Sequence, residues 1–218
     1  FALMILGGQP QYAALGGLAL HRIHEDPDGC IPLNETKAAL AQGKDAHFAP
    51  RTLVTLENTH NIMGGLVLPH EKVSALQSVA SDYGASTFLD GARLWHAHAA
   101  TGRSLRSLTS GYRMVSMCFS KGLGCPVGSI LLCSADEEDT VRHLRKQHGG
   151  GMRQAGILAA ACIYALEHNL PSLSRTHDYA RKLAGGIEKS SVLNLNPDAV
   201  QPDIFIAASP EGKAGDVA

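Results

Sequence analysis

Excess charge and long apolar runs are the two features that this 218-residue sequence most clearly lacks. Its 19 Lys and Arg residues nearly balance its 20 Asp and Glu residues, which gives a formal net charge of -1 at pH 7. The longest basic cluster is Leu144–Lys146, which argues against a nucleic-acid surface. Apolar stretches such as Ile157–Leu166 end near ten residues and include Tyr164, whereas a bilayer-spanning helix needs about 20. We therefore expect neither a nucleic-acid partner nor a membrane-spanning segment.

The cysteine pattern of a disulfide framework or a thiolate zinc site is also missing. The five cysteines form no CxxC pair and are odd in number. They are Cys30, Cys118, Cys125, Cys133 and Cys162. His96 and His98 have no nearby cysteine or acidic cluster to complete a metal site, so no metal is expected. Free thiols suit a reducing compartment, and we expect a cytoplasmic protein.

A recognisable targeting signal is absent as well. The chain begins at Phe1 rather than at a methionine and stops just after an apolar run, 204–208, so both ends are expected to be cut from a longer chain. What is present is a composition of 44% hydrophobic and 18% charged residues, which is typical of a soluble globular protein. The length allows one large domain, or one domain plus part of another.

Stretches typical of strands and of helices alternate along the chain. Apolar runs predict strands at 52–56, 86–89, 114–119 and 127–133. Helical spacing and capping residues predict helices at 35–41 (with Asn34 as its cap), 69–83, 92–100, 136–147, 152–168 and 172–189. This alternation predicts an α/β fold with a mostly parallel sheet, buried on both faces and flanked by helices.

Polar residues that can carry chemistry follow three of the predicted strands. His60 follows the first, Asp90 the second and Lys121 the third. Ligands of such sheets bind beyond the carboxyl ends of the strands, so these three side chains are candidates for one site. Asp90 also has a structural interpretation, as a cap for the helix at 92–100. A histidine satisfied within its own loop is the corresponding alternative for His60.

The sequence around Lys121 gives the strongest indication of chemistry. The apolar run 114–119 delivers this lysine into a glycine-rich turn, 122–128. A partly desolvated lysine is a nucleophile towards carbonyl groups, as Schiff-base enzymes require. Together with Asp90 it suits pyridoxal phosphate, because the amine can hold the aldehyde while the carboxylate keeps the pyridine nitrogen protonated. A surface lysine in a loop is the alternative interpretation.

Arg93 extends this constellation towards a substrate. It follows Asp90 by three residues and is expected to face the same crevice, where a guanidinium binds a carboxylate through two hydrogen bonds. A solvent-facing or ion-paired arginine is the alternative. An amino-acid substrate would supply both the amine and the carboxylate that these side chains suit.

Four stretches resemble a known family when they are taken together and in order. They are Leu56–Asn61 (LENTHN), Asp90–Arg93 (DGAR), Ser120–Ser129 (SKGLGCPVGS) and Gly149–Gln154 (GGGMRQ). The sequence is similar to the low-specificity L-threonine aldolases, pyridoxal-phosphate enzymes of the aspartate-aminotransferase-like fold type I. The similarity is continuous over about 47–170 and weaker on either side. It implies cleavage of L-threonine or L-allo-threonine to glycine and an aldehyde.

The resemblance also implies individual roles at the centre of the site. Lys121 would hold the cofactor through an imine, and Asp90 would pair with the pyridine nitrogen. Arg93 would take the substrate carboxylate. His60 would sit near the substrate hydroxyl, directly or through a water, and assist the removal of its proton.

Further expectations concern the cofactor phosphate and the assembly. Ser120 would support the phosphate, and Arg153 and Lys146 would approach it from a neighbouring subunit of a homodimer or homotetramer. The resemblance further implies a cofactor-binding large domain over 1–170 and the start of a small α+β domain over 171–218.

The sequence departs from the family in three places. Family members carry an upstream Gly-Thr loop that binds the phosphate at a helix start, and nothing similar is present here. The histidine that stacks on the pyridine ring should precede or fall within 1–10, which contain no histidine. The arginine of the small domain would lie beyond Ala218. The alternatives are therefore another fold type I enzyme, such as an aminotransferase or a different lyase, or a catalytically silent fragment of an aldolase.

Overall fold

The computed structural model of the chain describes residues 11–189, 193–195, 200, 202, 204 and 206–208. In this part of the chain four strands form one sheet, in the order β1 (Leu53–Glu57), β2 (Ser86–Asp90), β3 (Met114–Cys118) and β4 (Ser129–Leu132). Strands β1, β2 and β3 run parallel, and β4 runs antiparallel to β3. The prediction of a mostly parallel α/β sheet is confirmed.

Helices follow the strands and flank the sheet. The described α-helices are α1 (Gln11–Ala14), α2 (Leu33–Gln42), α3 (His70–Asp82), α4 (Leu94–Thr101), α5 (Leu105–Thr109), α6 (Glu138–Gln147), α7 (Gly156–Tyr164) and α8 (Leu173–Ile187). A short 3-10 turn, Ala135–Glu137, leads into α6, and a π-helical turn, Ala165–Asn169, followed by a 3-10 turn, Leu170–Ser172, joins α7 to α8. Among the described residues, no helix combines the length and the apolar character needed to cross a bilayer.

One face of the sheet carries the core. Side chains alternate between the two faces along each strand, and those of the packed face are at most 7% exposed. They are Val54, Leu56, Thr87, Leu89, Val115 and Met117. Buried residues of α3, α4 and α8, such as Leu76, Leu94 and Leu173, belong to the same core.

The opposite face is covered far less completely. Its side chains in β2 and β3 are only partly buried, and all four residues of β4 are exposed. The expectation of a sheet buried on both faces is therefore wrong for the described residues. A parallel sheet is buried on both faces only where elements cover both, and sequence alternation cannot reveal whether a covering element is present.

Several predicted helix starts also differ from the structure, and the helix predicted at 152–168 begins only at Gly156. The capping pattern predicts Asn34 as the cap of α2, but this residue lies inside the helix, which begins at Leu33 after Pro32 and has no side-chain cap. Pro32 supplies an extended backbone, and its carbonyl accepts the first helical hydrogen bond from the Thr36 amide (3.0 Å). The helix predicted at 92–100 begins at Leu94, and its N-cap residue is Arg93.

The residues after α7 include the predicted boundary between the large and the small domain, at residue 170. Leu173 is 1% exposed and packs into the core that also contains Leu94 of α4. Asn194 and Ala208 form an isolated antiparallel bridge, and Ala208 is the last residue of the apolar run 204–208. Residue 205 of that run lies outside the described residues, as do 1–10. The two-domain division stays a prediction.

Candidate active site

The carboxyl ends of the parallel strands bring three polar side chains into one row. Glu57 of β1 pairs in register with Asp90 of β2, and Asp90 pairs with Ser116 of β3. Residues paired across neighbouring strands point to the same face of a sheet, so these side chains share the incompletely covered face. The row lies towards the carboxyl ends of the parallel strands, which is where ligands of α/β folds bind.

Asp90 is held by its neighbours but keeps free capacity. Its Oδ1 accepts a hydrogen bond from the Ala92 amide at 3.1 Å, and its carbonyl oxygen accepts one from the Asn58 amide at 2.9 Å. The prediction that Asp90 caps this helix is wrong, because the N-cap residue of α4 is Arg93, without a side-chain cap; Asp90 instead stabilises the turn before the helix. A carboxylate has about four acceptor positions, so this bond leaves room for a ligand.

Lys121 sits in a tight turn beyond the end of β3. Its carbonyl oxygen accepts a hydrogen bond from the Gly124 amide at 2.8 Å, and the Phe119 carbonyl accepts one from the Cys125 amide at 3.1 Å. The lysine is partly buried rather than fully exposed. The turn therefore presents Lys121 from a main chain that is fixed on both sides.

Packing beneath the lysine turn explains why its main chain is fixed. The Trp95 indole donates its N–H to the Cys118 carbonyl at 2.8 Å, and its ring lies 5.6 Å from the Phe119 ring, centroid to centroid. Leu123 is fully buried, and the Asn169 amide donates to its carbonyl at 2.7 Å. Apolar burial and hydrogen bonds thus anchor the residues on both sides of Lys121.

His60 lies in the loop after β1 and is almost completely buried. Its side chain is 5% exposed, and its Nε2 lies 3.7 Å from Glu25 Oε1. Its Nδ1 is buried and has no hydrogen-bond partner within the described part of the chain, and the same holds for Thr59 Oγ1. Burial lowers the pKa of His60 below its ordinary value of 6.5, although the Glu57 carboxylate acts in the opposite direction.

Glu57 is a candidate residue to which the sequence interpretation gave no role. It is 5% exposed, and its Oε1 accepts a hydrogen bond from the Asn61 amide at 3.1 Å. A glutamate at the end of an apolar strand was visible in the sequence, but its burial was not. Buried carboxylates are rare unless they are paired, and the effect of Glu57 on the pKa of His60 makes it an electrostatic partner of that histidine.

A cavity of about 580 Å³ opens beside His60 and Glu57. Its walls come from 17–25, from 49–57 and from α2. Asp90, Arg93 and Lys121 are not among the residues that line it. The structure thus brings His60 together with Glu57, and brings Asp90 to the same row of strand ends as Glu57.

The remaining predicted site residues lie nearer to solvent. Arg93 is partly buried at the start of α4, whereas Ser120 is exposed beside Lys121. Lys146, in the last turn of α6, and Arg153, in the loop before α7, are both exposed. The described residues contain no group of three or more His, Cys, Asp or Glu side chains arranged to hold a metal ion.

The sequence of the chain matches a known protein family over nearly its whole length. The family model described as "Beta-eliminating lyase" matches residues 4–209. The chain belongs to the β-eliminating lyase family. The match extends well beyond 47–170, the range in which the sequence similarity was expected to be continuous, because a family model also recognises weakly similar segments.

Within this family, the chain is similar to threonine aldolases. Low-specificity L-threonine aldolase 1 of Arabidopsis thaliana is 35% identical over 201 residues, which cover 92% of this chain and 56% of the relative. Among solved structures, the Leishmania major threonine aldolase has a TM-score of 0.71 and 20% identity over 89% of this chain and 56% of its own. The predicted resemblance to the threonine aldolases is confirmed.

A third comparison concerns the fold alone. Serine palmitoyltransferase from S. paucimobilis, solved with a bound PLP–myriocin aldimine, has a TM-score of 0.58 and 21% identity over 84% of this chain and 46% of its own. The fold type I prediction is confirmed by these neighbours. The lyase-family chain spans about half the length of the curated relatives it matches.

Proposed function

We propose that this chain carries the reactive lysine of a pyridoxal-phosphate-dependent aldolase, which cleaves L-threonine and L-allo-threonine into glycine and an aldehyde. One observation carries the proposal: the turn that bears Lys121 leaves β3, and the neighbouring strand β2 ends in Asp90 at the same sheet edge. Membership of the lyase family and the names of the curated relatives support it.

The residues present fit the cofactor at its reactive end. Lys121, a partly buried residue, supplies the amine that an aldehyde requires, and Asp90 supplies the carboxylate that a protonated pyridine requires. The buried Nδ1 of His60, without a partner among the described residues, is a polar atom suited to a ligand. At the phosphate end, the exposed Ser120, Lys146 and Arg153 supply a hydroxyl and two cations.

When bound, pyridoxal phosphate supplies an electron sink for the electron pair released as the substrate Cα–Cβ bond breaks. Lys121 would hold the cofactor through Nζ. Asp90 would keep the pyridine nitrogen protonated with the part of its carboxylate that the Ala92 amide does not use. Arg93 binds the substrate carboxylate, which fixes the Cα–Cβ bond in a reactive orientation.

His60 accepts the proton of the substrate β-hydroxyl. Since burial lowers its pKa, the imidazole is neutral at pH 7 and one ring nitrogen can act as the base. The nearby Glu57 carboxylate stabilises the imidazolium that forms. The aldehyde would leave as the hydroxyl proton is taken up, and glycine needs one proton at Cα, so the proton that His60 accepts from the hydroxyl balances the reaction.

Two proposals concern the setting of the enzyme. Lys146 and Arg153 act on the phosphate of a neighbouring subunit in a homodimer or homotetramer, since both are exposed on their own chain. The protein works in the cytoplasm and forms glycine there, which its free cysteines suit. Analytical ultracentrifugation tests the assembly, and mixing Lys121→Ala subunits with Arg153→Ala subunits tests whether active sites form between chains.

A spectroscopic experiment tests the central proposal. Purified protein that contains this chain is mixed with pyridoxal phosphate, and we expect a visible absorbance band that Lys121→Ala abolishes. Lys146→Ala serves as a matched control, because it removes an exposed amine and should weaken cofactor binding without abolishing the band. Borohydride reduction and peptide mapping should place the cofactor on Lys121. A colourless wild-type protein would contradict the proposal and favour a catalytically silent fragment.

Product analysis distinguishes the aldolase from related enzymes. Incubation with L-threonine and L-allo-threonine should yield equal amounts of glycine and acetaldehyde. The family description makes β-elimination the second candidate, and that reaction would give 2-oxobutanoate and ammonia from threonine instead. An aminotransferase would require a keto acid and would return a second amino acid.

A further inference from the structure

Two buried histidines on different helices contact each other next to the lysine turn. His96 lies on α4 and His177 on α8, 81 positions apart in the sequence. Nδ1 of His96 lies 2.9 Å from Nε2 of His177, and the ring centroids are 5.2 Å apart. Their exposed fractions are only 1% and 4%. Imidazoles are costly to bury unless they are hydrogen-bonded, so this contact fixes the orientation of both rings.

The other edge of the His96 ring lies against the lysine turn. A Cβ added to Gly122, the residue after Lys121, would fall 2.6 Å from Cε1 and 2.9 Å from Cδ2 of His96, and closer still to Nε2. Cβ atoms in proteins essentially never approach other heavy atoms this closely. Gly122 does not have a positive φ, so space, and not backbone conformation, requires a glycine here.

The structure assigns His96, oriented by His177, as a positioning residue that seats the main chain of Gly122 and thereby fixes the attachment point of Lys121. This inference rests on the proposed role of Lys121. A flexible four-carbon stem joins Nζ to Cα, so Nζ can reach only positions within a fixed distance of Cα. A shift of Cα therefore changes the positions that Nζ can reach. Displacement of a reacting group by about 1 Å can lower a rate about 100-fold.

The charge state of His96 suits such a contact. Burial, reinforced by the nearby Arg93 guanidinium, lowers the pKa of His96 to about 4. At neutral pH the ring is therefore uncharged, with one nitrogen that donates and one that accepts. His177 also lines a cavity of about 260 Å³, together with Asp178 and Arg181, which form an ion pair with each other (2.5 Å).

A suppressor experiment tests the contact directly. Gly122→Ala should push the turn away from His96, and His96→Asn in the same chain should relieve the overlap because its side chain is shorter. Gly156→Ala is the matched control, since a Cβ there meets no described atom within 4 Å. The readouts in the cofactor-free protein are hydrogen exchange at the amides of 121–125 and the rate at which trinitrobenzenesulfonate modifies Lys121, mapped by mass spectrometry.

We expect Gly122→Ala to accelerate exchange in the turn about tenfold and to change the Lys121 modification rate, while Gly156→Ala changes neither. The double variant should return both quantities towards wild type. If Gly122→Ala has no effect, or if His96→Asn fails to relieve it, the inference is wrong. Neither readout needs bound cofactor, so failure of the proposed aldolase function would be seen separately, as the absence of the absorbance band.

Variants of His177 test its part in orienting His96. His177→Gln keeps a polar nitrogen at similar reach and should retain most of the turn protection, whereas His177→Ala should lose it. In the cofactor-loaded enzyme His177→Ala should lower kcat and leave KM nearly unchanged, because only the lysine moves. His98→Ala is the control, because His98 lies on α4 like His96 but is partly exposed. Equal effects of His177→Ala and His98→Ala would overturn the positioning role.

Discussion

Glu57 and Asp90 lie directly opposite each other at the carboxyl ends of β1 and β2. The two carboxylates have different surroundings: Glu57 is 5% exposed and accepts a hydrogen bond from the Asn61 amide, whereas Asp90 is only partly buried and accepts one from the Ala92 amide. Two carboxylates at the ends of neighbouring strands can have different chemical roles when their environments differ. In the proposed enzyme Glu57 faces the base, His60, and Asp90 faces the cofactor.

Asp90→Asn separates the chemical role of Asp90 from its structural one. Asparagine keeps the side-chain oxygen that accepts from the Ala92 amide, but it loses the charge that would keep the pyridine protonated. We expect kcat for threonine cleavage to fall at least about 100-fold, while the thermal midpoint changes little. Steady-state kinetics and a thermal melt check both. Wild-type turnover would remove Asp90 from the mechanism, and a large loss of stability would assign it to the turn.

His60→Ala should impair cleavage more than cofactor binding. Removal of the base lowers kcat about 100-fold, while a cofactor titration followed by absorbance should give nearly the wild-type affinity. His24→Ala is a useful control, because His24 borders the same cavity and is less buried than His60. Equal loss of binding and cleavage in His60→Ala would instead indicate a structural histidine.

Glu57→Gln should move the acid limb of the pH–rate profile. Glu57 raises the pKa of His60 against the lowering effect of burial, so removal of its charge should lower that pKa further. The base must be neutral to accept a proton, and activity should then persist to a lower pH than in the wild type. The amide oxygen introduced at this position would still accept from the Asn61 amide, which keeps the loop in place. A limb that stays in position, or moves to higher pH, would contradict the coupling.

The buried His96 should make folding stability depend on pH. Its pKa is about 4 in the folded state and near 6.5 when the chain is unfolded. The unfolded state therefore binds a proton first as the pH falls, and this penalty, absent above about pH 6.5, grows to about 3 kcal/mol by pH 4. Urea unfolding of wild type and His96→Asn at pH 7.5 and 4.5 measures it. The stability of His96→Asn should fall less, and parallel losses in the two proteins would refute the assignment.

Leu89→Ala should test the packed face of the sheet. Leu89 is fully buried between the residues paired with it in β1 and β3, Leu56 and Val115. Its truncation should lower the free energy of unfolding by about 2–5 kcal/mol. Leu183→Ala on α8 is the control, since Leu183 is 57% exposed and should change stability by less than about 0.5 kcal/mol. Similar losses at both positions would contradict the described core.

Local sequence was sufficient for some features of the fold and not for others. The strands that end at Asp90 and before Lys121 were predictable because alternating apolar residues and glycine turns act over a few positions. The start of α2 was not, because Asn34 satisfied a capping pattern that Pro32 had already made unnecessary. Burial on both faces was also wrong, since exposure depends on which elements cover a sheet.

The sequence alone determined the order of the four strands, the family resemblance, and the choice of Lys121, Asp90 and His60 as candidates. Tertiary structure alone decided that Glu57 is buried beside His60 and that His96 meets His177 behind the lysine turn. The reason is physical. Periodicity and turn chemistry are local, whereas the contact of two side chains 81 positions apart exists only after helices have packed on a sheet and excluded water between them.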